Sequence, residues 1–73
     1  MEEKALLFEK TYPNISSWVR FSGWIEIGQY DHLRSFVRAL DDGGMVWEGD
    51  DDYETLDKAL QALDDGIAEW ADR

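Results

Sequence analysis

The chain has 73 residues, no cysteine, and seventeen acidic against seven basic side chains, for a formal net charge of −10. That length sets one domain, residues 1–73, small enough to bury only about 60% of the surface its unfolded chain exposes, and the absence of cysteine excludes disulfides and thiolate metal sites. The negative charge repels phosphate backbones and anionic membranes, while 44% hydrophobic residues with ten aromatics argue for a folded globule.

The first twenty-odd residues read as helical. Ala5, Leu6 and Phe8 form a short apolar patch, Pro13 interrupts it, and Ile15, Trp18 and Val19 form a second patch that Gly23 can end. The opening Met1-Glu2-Glu3-Lys4 has no cationic leader, and no apolar run is long enough to cross a bilayer, so a cytoplasmic location and no membrane contact are expected.

Next comes β-forming sequence. Trp24 to Tyr30 reads as a strand, joined through Asp31 to Arg34 to a hairpin of Ser35–Leu40 and Met45–Glu48. In the turn Asp41-Asp42-Gly43-Gly44, either Asp-Gly or Gly-Gly can supply positive φ angles. Strict alternation then puts Phe36, Arg38, Leu40, Met45 and Trp47 on one face with Trp24 and Tyr30, and Val37, Ala39, Val46 and Glu48 on the other with Ile25 and Ile27.

The C-terminal helix carries the clearest periodicity. Apolar residues at Tyr53, Leu56, Leu60, Leu63, Ile67 and Trp70 fall at spacings of three and four, a continuous stripe. Thr55 is the expected N-cap, with Lys58 where a capping box would place Glu or Gln. Gly66 beside the stripe implies close approach of a sheet or another helix. The predicted fold class is therefore α+β: N-terminal helix or helices, a three-stranded antiparallel meander, and a long amphipathic helix on one sheet face, in the order α-β-β-β-α. That helix suits the aliphatic face. The aromatic face is left to the N-terminal helices or to another molecule.

Between Asp41 and Asp57 lie eight carboxylates and no basic residue. Part of this run has local causes, Asp42 as a turn residue and Asp50 to Glu54 as charge beside the positive end of a helix dipole. The rest argues for a cationic partner.

Reactive constellations are scarce. Ser16, Ser17, Ser22 and Ser35 lack a nucleophile elbow, and His32 follows Asp31 in a connecting segment with no nucleophile near it in sequence. Asp50, Asp52 and Glu54 alternate as calcium ligands can, but the loop has no central Gly, and Gln61 stands where an EF-hand needs Glu. The order α-β-β-β-α also occurs in double-stranded-RNA-binding domains, whose last helix begins with phosphate-binding lysines; here it begins in Asp50, Asp51, Asp52 and Glu54. The reading is of a nonenzyme with no catalytic residue, no metal, no cofactor, no small-molecule substrate and no nucleic-acid partner.

One family likeness bears on this. The strand from Met45, the pair Gly49-Asp50, the run Thr55-Leu56-Asp57-Lys58-Ala59-Leu60 and the helix end at Ile67, Glu69 and Trp70 resemble the strand-to-helix segment of HicB-type antitoxin N-terminal domains. The likeness covers residues 45–71. It departs from the family pattern in lacking a Pro-Asp-Leu-Pro-Gly signature, in three residues inserted before Thr55, and in having no DNA-binding tail. It implies a small α+β domain that dimerises and occludes a basic toxin.

The sequence thus predicts a noncatalytic protein-interaction or regulatory module, possible as a homodimer. Its expected surface is Trp24, Tyr30, Phe36, Arg38, Met45 and Trp47, flanked by an acidic rim of Asp50, Asp51, Asp52 and Glu54. The alternative is an acidic nucleic-acid mimic or antitoxin-like inhibitor of a basic protein, with the carboxylates themselves as the binding surface.

Overall fold

The computed structural model describes residues 2–29 and 34–72, with side chains from residue 7 onward. The elements are α1 (Glu2–Thr11), α2 (Pro13–Phe21), β1 (Trp24–Ile27), β2 (Val37–Asp41), β3 (Gly44–Glu48) and α3 (Leu56–Ala71). The three strands form an antiparallel sheet in the order β1-β2-β3. The α+β class and the α-β-β-β-α order are those read from the sequence. Tyr30 and His32 lie outside the described residues.

At the hairpin turn, Asp41 pairs with Gly44. The Asp41 carboxylate accepts from the Gly43 N–H at 2.8 Å, so Asp41, and not Asp42, supplies the turn's side-chain bond. Gly44 takes the positive φ, +120°.

α3 starts as expected, with the Thr55 hydroxyl accepting from Lys58 N at 3.1 Å. Lys58 pairs one turn back with Glu54. The buried line of α3 is rotated from the predicted stripe: Ala59, Leu63, Asp64, Gly66 and Ile67 are buried, Leu60 and Trp70 are partly so, and Leu56 is exposed. The reason is the helix's small side. Ala59 and Gly66 let its backbone approach the sheet, where Val37 and Ala39 are fully buried. At Gly66 the approach is closest, for a Cβ there would overlap the indole ring of Trp47.

This contact overturns the predicted faces. In the β2–β3 ladder Leu40 opposes Met45 while Ala39 opposes Trp47, so Val46 is an extra residue in β3. Such a bulge shifts the alternation by one. Val46 and Trp47 both turn toward the helices and contact the core, and Glu48 falls opposite Arg38 on the other face. Alternation alone had exchanged Trp47 and Glu48.

α2 joins the same side of the sheet. Trp18 meets Trp70 edge-on at 5.4 Å, and its indole N–H donates to the carbonyls of Trp24 and Leu40, each at 3.1 Å, bridging the ends of β1 and β2. Gly23 makes this corner possible, because a Cβ would strike the Leu40 carbonyl. Pro13 opens α2, and no side chain of its own caps it. Buried Asp64 of α3 does so instead, accepting from Asn14 N at 2.8 Å, Ile15 N at 2.9 Å and the Asn14 side-chain amide at 3.0 Å. Tyr12 adds a bond from its hydroxyl to Asp57 at 3.2 Å. Among the described elements, α1 contacts α2 alone. Neither N-terminal helix covers the second sheet face.

Candidate functional site

That second face has two cross-strand rows. Trp24, Leu40 and Met45 stand side by side across the three strands, and Glu26, Arg38 and Glu48 form the next row. Trp24 and Met45 are each 44% exposed, so the first row is an apolar strip open to solvent. Ordinary sheet pairing creates it: Leu40 on the central strand has both others as register partners.

The charged row is a different object. Arg38 is 1% exposed, and its guanidinium donates to Glu26 at 2.9 Å, the Ser35 carbonyl at 2.7 Å, the Ser35 hydroxyl at 3.2 Å and the Gly28 carbonyl at 2.7 Å. Burying a cation demands such satisfaction. The bond from Arg38 holds the Glu26 carboxyl below its ordinary value against the opposing effect of burial, with further help from the Trp24 side chain. Arg38 therefore fastens β2 to the Gly28 and Ser35 segments, and it is not the surface cation that the sequence reading offered to a partner.

The other predicted members separate. Trp47 is on the helix face against Gly66, and Phe36 is partly buried against Tyr53, with ring centres 6.5 Å apart. Phe36, Tyr53 and Leu56 line a cleft of about 140 Å³ with Asp52, Glu54 and Thr55. Trp24 and Met45 remain on the open face, joined by Leu40.

The four residues of the predicted acidic rim lie in the loop between β3 and α3. Asp50, Asp51, Asp52 and Glu54 are all exposed. Their loop is held by backbone: Phe36 N donates to the Asp50 carbonyl at 2.8 Å, Asp50 N to the Tyr53 hydroxyl at 2.8 Å, and the Gln29 amide to the Asp51 carbonyl at 2.7 Å. The carboxylates are left outward, with an exposed 3.9 Å pair between Asp51 and Arg34. The rim begins two residues beyond Glu48, while Asp41 and Asp42 flank the apolar row at the hairpin end. Carboxylates thus lie to either side of the row along the strand direction, in the hairpin turn and beyond the end of β3.

Sequence reasoning missed Asp64 and Glu26. A signal existed for the first, since Asp64 lies four residues after Leu60 and three before Ile67, a carboxylate on the buried side of the helix. For Glu26 the signal was its parity with Arg38 across neighbouring strands. No group of three residues able to hold a metal occurs among the described residues, and no described helix is long and apolar enough to cross a membrane.

No family model, curated protein or solved structure matches this chain.

Proposed function

We propose that the chain is a noncatalytic interaction module that docks a basic protein segment on its open sheet face. The carrying observation is the exposed apolar row Trp24–Leu40–Met45, with the hairpin aspartates on one side of it and the row of Glu26 and Glu48 on the other. An apolar anchor supplies affinity and the surrounding charge supplies steering and choice of partner. The matching segment has one or two apolar side chains among lysines and arginines. An antitoxin-like inhibitor of a basic protein, as the HicB-type resemblance implies, is one form of this reading.

A basic amphipathic peptide of alternating leucine and lysine, titrated calorimetrically, tests it. Binding should weaken with added salt, as screening shortens the reach of the carboxylates. Met45→Lys, which removes an anchor and reverses local charge, should cost about tenfold or more in affinity. Leu56→Lys, an equally exposed change away from the row, should have a much smaller effect. Equal losses from the two changes would overturn the reading.

The exposure of all four rim carboxylates favours a second reading, in which the acidic loop itself is the binding surface. Replacing Asp50, Asp51 and Asp52 together with Asn would then abolish capture while Met45→Lys left most of it.

A further inference from the structure

Charge is unevenly divided along this chain. Residues 1–23 hold three carboxylates, Glu2, Glu3 and Glu9, against three cations, Lys4, Lys10 and Arg20, and sum to zero. Residues 24–73 hold fourteen carboxylates against four cations, the whole of the −10. Two copies meeting through the acidic part would repel, so a self-contact is electrostatically open only at the N-terminal hairpin of α1 and α2.

The same hairpin is the more apolar surface. Of the eight large hydrophobic side chains exposed among the described residues, Leu7, Phe8, Val19 and Phe21 are on it. Phe8, Glu9, Ser16, Val19 and Arg20 line a shallow, open groove of about 280 Å³. Glu9 and Arg20 carry opposite charge and pair at 3.2 Å.

We infer that the α1–α2 hairpin is a self-association surface, through which a second copy of this chain packs Phe8 and Val19 into the facing groove. A two-fold contact fits the groove's own chemistry. It brings Glu9 of one copy to Arg20 of the other, so the ion pair is exchanged and not lost. The sheet face is on another side of the molecule, and self-association through α1 and α2 does not depend on what docks there.

Sedimentation of the full chain from micromolar to millimolar concentration, at low and high salt, tests this. The mass should rise from 8.5 kDa toward twice that value. Added salt should leave the dimer intact or strengthen it, because it screens repulsion between the acidic parts. Val19→Lys should give a monomer with unchanged circular dichroism, and an unfolding midpoint that matches the parent's at concentrations where the parent is itself monomeric, since Val19 is 46% exposed and a cation suits the last turn of a helix. Met45→Lys should leave the dimer in place. A monomer throughout, a dimer that survives Val19→Lys, or one that Met45→Lys disrupts overturns the inference.

Discussion

Asp64, on the third helix, accepts the backbone N–H of Asn14, on the second, at 2.8 Å. A second backbone bond, from Ile15, ends on the same oxygen. This carboxylate caps a helix to which it does not belong, and so ties the start of α2 to the middle of α3. The tie is buried, which makes it sensitive to loss of either partner.

Asp64→Ala should therefore destabilise the fold by about 2–3 kcal/mol, combining a lost cap with buried donors left unmet. Urea unfolding followed by tryptophan fluorescence measures this. The neighbouring Asp65→Ala, at an exposed site, should fall within about 0.5 kcal/mol of the parent.

Gly66→Ala is expected to reverse the usual rule. In an exposed helix the change gains about 1 kcal/mol. Here the new methyl meets the Trp47 indole, and overpacking should leave a net loss of about 1–2 kcal/mol. Trp47→Phe in the same chain should recover part of it, a non-additivity that thermal unfolding of the two single variants and the double variant would expose.

Acidification should release the Glu26–Arg38 bond. The Glu26 carboxyl is held below its ordinary value of 4.5, so its contribution is complete above that pH and is lost as pH falls through the lower folded value. Stability followed from pH 6 to about pH 3 should hold above 4.5 and decline below it. Glu26→Gln should be less stable at neutral pH and show a shallower decline. An equal slope in both proteins would mean that other carboxylates carry the acid response.

Alkali acts at Tyr12. Burial first, then the nearby Asp57 carboxylate and its hydrogen bond with the phenol, and then Asp64, hold this hydroxyl above its ordinary 10.0. The associated stability is complete below pH 10.0 and is lost as pH rises through the higher folded value. Tyr12→Phe should remove that alkaline loss, read as the change in unfolding midpoint between pH 8 and about 11.

The elements were legible because each has a local cause. Thr55 caps, Pro13 opens a helix, and the Asp41–Gly44 turn joins two β-forming runs, all within a few residues. The faces were legible only up to Met45. One unpaired residue, Val46, undoes alternation beyond it, and nothing in Met45-Val46-Trp47-Glu48 announces a bulge, because a regular strand would spell the same letters. Gly66 did carry the hint of a close neighbour, without naming Trp47. Arg38 read as a surface cation because, Glu26 apart, its partners are the Gly28 and Ser35 carbonyls and the Ser35 hydroxyl, oxygens that no charge pattern in the sequence marks. The shared face of Trp24, Leu40 and Met45 was visible from parity, and their standing in one cross-strand row is register that only pairing fixes.

The extra residue in β3 acts on the strand as a frameshift acts on a message. Met45 before it is left to solvent, and Trp47 after it goes to the core. Because Leu40 opposes Met45 and Ala39 opposes Trp47 with Val46 unpaired between them, a deletion of Val46 would leave Trp47 against the helices and Glu48 outward. Pairing Val46 in an even ladder would instead turn Trp47 outward and carry the Glu48 charge into the interior. Whether one residue is paired, more than composition, decides which side of the sheet the molecule keeps for itself.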